Sequence, residues 1–432
     1  MTLTAPFLLV IVLALLGSSL WIGLALIGVG YFALETMTDR NPTSLISTVM
    51  WSSTTSWTLT ALPLFIWMGE ILYRSNISKR LFFGLSPWLH RIPGRLLHTN
   101  VVGCTIFAAM SGSSAATCAT VGRITIPELR SRDYPERMII GTLAGAGTLG
   151  LLIPPSILMI VYGVAANVSI GQLFLGGVVP GLLLATMFAG YIMVWSLFNA
   201  GSLPPRDPSM PLMERVRATL GILPACILIL MVLGSIYAGI ATPTESAALG
   251  VVGALVISAL EGTLSRRSFL QGVVGATRMS AMIGLILLGA AFLTMAMAYT
   301  GIPREIALYV DGLGLSRTML ILVLGLVYIV LGCFLDGVSL VLLTISVVIP
   351  TLQSAGIDLL WFGIFAIIVV EMAQITPPVG FNLFVLQAVT GKDLVSVALY
   401  AAPQFLILVL LTVIITVFPE IVTALPDMLR TR

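Results

Sequence analysis

Two short polar strings lie inside otherwise apolar sequence. Ser111-Gly112-Ser113-Ser114 interrupts the run from Cys104 to Leu129, and Leu335-Asp336-Gly337-Val338 interrupts a second run that reaches Val348-Ile349-Pro350. Each is followed by a double proline, Pro154-Pro155 after the first and Pro377-Pro378 after the second. A proline cannot donate a backbone hydrogen bond and its ring excludes the preceding turn, so a helix must open there. Hydroxyls and the carbonyls freed by such openings are hard oxygen ligands of the kind Na⁺ takes, and the N-termini of half-helices face anions. The first set comprises Ser111, Gly112, Ser113, Ser114 and Thr117, facing Thr148, Ile153 and Pro154. The second comprises Asp336, Gly337 and Ser339, facing Gln374, Thr376, Pro377 and Asn382. Serine and glycine also occur in membrane helices simply because they let backbones approach. A lone Ser-Gly pair reads that way. Two symmetric pairs opposite two double prolines point to an ion and anion site instead.

Few other residues could do chemistry. Asp336 is either a cation ligand or the cap of the helix that follows it. Glu371 lies one turn before the Thr376 break. Glu70 and Glu245 fall near span ends, where a solvated role is expected. Arg123 lies 12 residues beyond Ser111 and is read as snorkelling to the cytoplasmic end rather than attracting an anion. The two histidines, His90 and His98, are placed in a basic surface arm and given no proton-relay role. An intramembrane serine protease needs a base beside its nucleophile, and no span contains a histidine. Paired aspartates, a histidine-rich metal cluster and a phosphate-binding glycine loop are also missing, so the chain reads as a non-enzyme. Long apolar spans without rings of charge fit a passive channel poorly. The four cysteines, Cys104, Cys118, Cys226 and Cys333, lie singly in apolar segments and read as packing residues.

The elements that must position these strings follow from the composition. With 58% hydrophobic and 9% charged residues and a mean hydropathy of +1.09, the chain is a polytopic all-α membrane protein. Its net charge of +3 gives no ground for a nucleic-acid partner. The apolar arms 101–110 and 115–126 are each about half the length of a bilayer crossing, so together they form a re-entrant hairpin with its tip near mid-membrane. The segment 318–352 forms a second hairpin. Ile126-Pro127, Pro154-Pro155 and Pro180 recur 223 residues later as Ile349-Pro350, Pro377-Pro378 and Pro403. This is an internal duplication. Four regions result: N-terminal spans and an interfacial connection (1–57), repeat 1 (58–198), a linker with central spans (199–278) and repeat 2 (279–432).

Spans are expected at 3–17, 19–36, 58–73, 139–166, 173–197, 218–240, 244–261, 279–299, 359–390 and 395–418, with 139–166 and 359–390 broken. Leu8–Leu16 has no basic stretch before it and reads as a span rather than a cleaved signal. Surface arms are expected at 74–98 and 301–316. Five crossings separate the equivalent spans 58–73 and 279–299, and an odd number inverts the second copy. Charge agrees with this count. Of 21 Lys and Arg, 16 fall in 74–98, 123–137, 200–217, 262–278 and at Lys392, leaving only Arg40, Arg304, Arg317, Arg430 and Arg432 on the other face. The positive-inside rule makes the first face cytoplasmic.

The strings MSGSSAATCATVGRITIPEL, GTLGLLIPPS, FLDGVS and ITPPVGFNLFVLQ resemble the large membrane subunit of tripartite ATP-independent periplasmic (TRAP) transporters, the DctM-like family, across essentially the whole chain. The resemblance implies an elevator-type carrier of the ion-transporter-superfamily kind, driven by a Na⁺ gradient, in the bacterial inner membrane. It also implies a small four-span membrane subunit, not fused ahead of Leu8, and a periplasmic binding protein delivering an organic acid such as a C4-dicarboxylate or a sugar acid. Carried over by match, sodium sites fall at Ser111, Gly112, Ser113 and Ser114 with Thr148 and Ile153, and at Asp336 and Gly337 with Gln374 and Thr376. Substrate contacts are expected from Ser113, Ser114, Thr117, Pro154, Pro377 and Asn382. A stand-alone sodium/dicarboxylate symporter of the same architecture is the alternative.

Overall fold

A computed structural model describes residues 20–205 and 211–430. The expected span 3–17 lies outside them, as do Arg206 and Arg432. The described residues are helical and loop, with no strand. Six helices among them are long and apolar enough to cross a bilayer, or seven if one bent pair is counted.

The N-terminal part comprises α1 (Ile22–Met37), α2 (Pro42–Thr54) and α3 (Ala61–Tyr73), followed by the arm α4 (Ile77–Leu89). The 39–56 connection is thus itself helical, started by Asn41, whose side chain accepts from the Thr43 N–H. The first hairpin is α5 (His98–Ser111) and α6 (Ser114–Arg130). The first broken span is α7 (Glu136–Gly147), α8 (Leu149–Leu152) and α9 (Ile157–Ala166). Next come α10 (Ile170–Phe198), α11 (Leu212–Thr219), α12 (Leu223–Tyr237) and α13 (Pro243–Leu260). The second half runs α14 (Arg266–Thr300), arm α15 (Ile302–Gly312), hairpin α16 (Arg317–Gly332) and α17 (Gly337–Ser354), broken span α18 (Leu359–Gln374) and α19 (Phe381–Thr390), α20 (Leu394–Val417) and α21 (Glu420–Arg430).

Five features differ from the sequence reading. The hairpin arms of 14 and 17 residues in the first copy are about 21 and 26 Å long, more than half a hydrocarbon core. The polar ends of those arms, His98-Thr99-Asn100 and Glu128-Leu129-Arg130, continue the helices. His98 therefore opens α5 rather than lying in the surface arm; it is buried, with Nε2 2.8 Å from the Pro93 carbonyl. The expected span 218–240 is bent by 48° between α11 and α12, because Pro224 cannot continue the hydrogen-bond ladder of the preceding turn. The basic turn at Arg266-Arg267 is the first turn of the 35-residue α14, which has no proline and is started by a Ser265–Ser268 capping box. Finally, α21 follows the last expected span.

Burial explains the layout. The α18 helix is buried at every residue from Leu360 to Gln374, and α7 to α9 are buried nearly throughout. The two broken spans are therefore the core. In α20, by contrast, only Val397, Ala401, Gln404, Leu408, Leu411 and Ile415 are buried. They recur every three or four residues and form a single inward stripe, while Leu399, Leu406 and Leu410 face outward. Helix α14 lies along α1, and two glycines permit it: a Cβ at Gly289 would sit 2.5 Å from the Gly23 carbonyl oxygen, and one at Gly23 would sit 2.6 Å from that of Leu285.

Polar contacts tie the first arm to this framework. Arg80 pairs with Glu261 at the end of α13 at 3.3 Å, Trp88 Nε1 donates to Thr219 Oγ1 of α11 at 2.7 Å, and Arg74 reaches both Glu70 at 3.0 Å and Gln271 of α14 at 3.2 Å. Glu245 is held in a capping box by Thr242, in keeping with its expected solvated role.

Candidate functional site

The first hairpin closes on the first break through backbone. Gly112 turns the chain at φ +61°, and a Cβ there would lie 2.7 Å from the Pro155 carbonyl oxygen. Only glycine combines that conformation with that approach. The Gly112 carbonyl accepts from the Ile157 N–H at 3.2 Å. On the other flank, Gly150 of α8 is so close that a Cβ would stand 2.6 Å from Ser113 O and Ser114 N. Ser113 caps α6, accepting from the Ala116 N–H. Ser111 Oγ and Thr117 Oγ1 are 2.8 Å apart. Thr148 is buried and donates to the Gly145 carbonyl at 2.6 Å, and Ile153 leaves the helix in an extended conformation just ahead of Pro154. The expected residues Ser111 to Ser114, Thr117 and the 148–154 stretch thus meet in one place.

The second hairpin packs differently. Asp336 caps α17, accepting from the Val338 N–H at 3.1 Å, the Ser339 N–H at 3.2 Å and the Ser339 hydroxyl. The cap role is therefore realised, and a carboxylate oxygen has further lone pairs to offer a cation. A Cβ at Gly337 would meet Val370 Cγ1 at 2.6 Å and Gln374 Nε2 at 3.4 Å. The tip accordingly lies against the last turns of α18. Thr376 donates to the Met372 carbonyl. The second break, with Pro377 and Pro378, ends at Gly380, φ +48°. In both copies the double-proline bond is cis. Beyond the break, α19 packs chiefly on α6 of the first hairpin and not on the second tip, so Asn382 does not join the second set as expected; it is fully buried, with neither its oxygen nor its nitrogen hydrogen-bonded.

Each tip borders a cavity against the framework. About 360 Å³ lies between Ser111, Ser113 and Ala116 of the first hairpin and Gly69, Glu70 and Tyr73 of α3. About 580 Å³ lies between Asp336 and Ser339 and the α14 residues Arg278 and Ile286. Arg278 is therefore a helical residue beside the second tip, not part of a loop. Arg123 stands over the Tyr73 ring, 5.4 Å from its centroid, joining α6 to α3 at the edge of the first cavity. This is an attractive cation–π geometry, and the residue stays exposed.

Sequence reasoning did not place Glu371 in a site. The structure puts it at 0% exposure in α18, with the Ser114 hydroxyl donating to Oε1 and Oε2 buried without a partner. The signal was present in the sequence, since Glu371 is the only ionisable residue in LLWFGIFAIIVVEMAQ.

Comparison with known proteins agrees with this architecture. The chain is 35% identical to the Pseudomonas aeruginosa C4-dicarboxylate TRAP transporter large permease protein DctM, over 86% of this chain and 87% of that one. It is 32% identical to the protein of the same name from Rhodobacter capsulatus, over 98% of each. Among solved structures it is similar to the Alcanivorax borkumensis YdaH transporter, with a TM-score of 0.66 at 14% identity, covering 93% of this chain and 97% of that one; this likeness speaks to the fold alone. Residues 7–421 match the family described as the DctM component of tripartite ATP-independent periplasmic transporters, and the chain is thus a multi-pass membrane protein belonging to the TRAP transporter large permease family.

Proposed function

We propose that this permease imports an organic acid across the bacterial inner membrane by Na⁺ symport, with a small four-span subunit beside it and a periplasmic binding protein delivering the substrate. The relatives named for C4-dicarboxylate transport support a dicarboxylate or a similar carboxylate as cargo. The observation that carries the reading is the first hairpin tip, seated on the first helix break beside the buried Glu371 Oε2 that no protein group bonds, together with the fully buried, unbonded Asn382 amide of α19. Such atoms are costly unless something bonds them. Oxygen-rich tips suit Na⁺, and the Asn382 amide offers both a donor and an acceptor to a carboxylic substrate.

In this reading the hairpins and broken spans are the moving block, and α3, α4 and α11–α14 are the fixed framework. The hydrogen bonds and ion pairs of the arm support the fixed role. The first tip cavity abuts Glu70 and Tyr73 and the second abuts Arg278, residues toward the cytoplasmic ends of their helices by the charge pattern, which supports an inward position of the block. The test is uptake into proteoliposomes containing all three components. An inward Na⁺ gradient should drive accumulation of a C4-dicarboxylate or another acid bound by the delivery protein, and replacing Na⁺ with K⁺ should abolish it. Equal accumulation in K⁺ would contradict Na⁺ coupling.

A further inference from the structure

Glu371 is the deepest acid in the described protein, and nothing basic accompanies it. Its neighbours are the Ser114 hydroxyl at the start of α6, the Leu151 backbone of α8 and the Cys118 thiol. The ion pairs of the described residues involve other acids, Glu70, Glu128, Glu136 and Glu261. A carboxylate buried without a counter-charge is far more costly than the apolar side chain that could fill the same space. Here one oxygen is bonded and the other is aimed into the interior with no partner. The repeat sharpens the point. The residue 223 positions earlier is Thr148, a neutral side chain in the equivalent break. Only one copy carries a charge at this position, so the duplicated fold does not itself demand an acid there.

The carboxyl lies where three elements converge: the hairpin that holds Ser111 to Ser114, the break that packs on it through Gly150, and α18 from the other repeat. We infer that Glu371 is an anionic ligand of the cation site at the first hairpin, joined to it through Ser114. This deepens, and rests on, the Na⁺ reading above. A single carboxylate among hydroxyls and carbonyls matches a monovalent hard cation, because one negative charge balances one positive charge. The described residues hold no cluster of three or more acidic, histidine or cysteine side chains of the kind a divalent or transition metal would take. The cation then draws the first hairpin onto the second repeat's broken helix, so that occupancy and closure are one event.

The test uses the purified full-length protein with Na⁺ replaced stepwise by K⁺ at constant ionic strength, reading the thermal unfolding midpoint. Glu371→Gln keeps the shape and the partner for Ser114 but removes the charge. The Na⁺ concentration for half-maximal stabilisation should rise about ten- to a hundredfold, the range for losing a charged contact. Glu371→Asp keeps the charge but withdraws it by one methylene, and should show a smaller rise. A Glu371→Gln protein that titrates like wild type would overturn the assignment. If that variant does not accumulate, a Glu371→Asp protein titrating like wild type would overturn it equally. Wild-type protein stabilised no better by Na⁺ than by K⁺ would remove the Na⁺ reading itself, and this inference with it.

Discussion

Two side chains separate holding the fold from binding cargo or ion. Asp336 does the first visibly, because it caps α17 through two backbone N–H groups. Asp336→Ala should cost about 1 kcal/mol of stability through the lost cap, whereas Asp336→Asn should cost little, since asparagine caps as well. If the carboxylate also binds Na⁺, both variants should shift the Na⁺ dependence of uptake to higher concentration. Normal Na⁺ dependence in Asp336→Asn would leave this residue as a cap alone. Asn382 is the converse case. Its amide makes no hydrogen bond in the described protein, so Asn382→Leu, of similar volume, should leave the unfolding temperature unchanged or raised. The same variant should lose uptake in proteoliposomes; full uptake would remove Asn382 from the substrate path. The sequence made the polar strings legible because they interrupt apolar runs. It could not show that Asp336 points back at its own helix, or that Ser114 and Glu371, 257 positions apart, are neighbours. Spacing along a chain carries no information about contacts made across repeats.

At the scale of elements, the account depends on how closely hairpin and break are seated. Gly150→Ala would place a methyl group 2.6 Å from the backbone of Ser113 and Ser114. Neither backbone can yield without moving the tip, so a stability loss of roughly 1–3 kcal/mol is expected, together with loss of Na⁺-driven uptake. Thermal unfolding and uptake measured on the same preparation check this. A variant that is stable and active would mean that the tip and the break are not a rigid pair. Most of the element pattern could be read ahead of the structure, since proline and glycine mark the breaks in both copies. What could not be read has a common cause. The bend between α11 and α12, the polar ends of the hairpin helices and the amphipathic α21 depend on packing or on single caps, not on long apolar periodicity. Likewise, the continuity of α14 through Arg266-Arg267 comes from the Ser265 capping box, while basic residues on their own suggested a turn.

For the whole molecule, the positive-charge pattern makes a topological claim. Cysteines introduced at Ser131 and Ser265 should resist a membrane-impermeant thiol reagent applied to intact cells from outside, while one at Asn167 should react. Labelling of Ser131→Cys from outside without permeabilisation would invert the assignment. The central claim is that the hairpin block moves against a framework fixed by the arm α4, and the Tyr73–Arg123 contact spans that boundary. The most direct measurement therefore joins the two sides. In a protein whose four native cysteines are replaced, Tyr73→Cys and Arg123→Cys would be linked with a short bifunctional thiol reagent, and uptake compared before linking, after linking and after a reducible linker is cleaved. The account predicts active transport before linking, loss of uptake in proportion to the linked fraction, and recovery on reduction. A fully linked protein that still accumulates substrate would contradict it, because the hairpin would then not need to leave the framework for the cargo to cross.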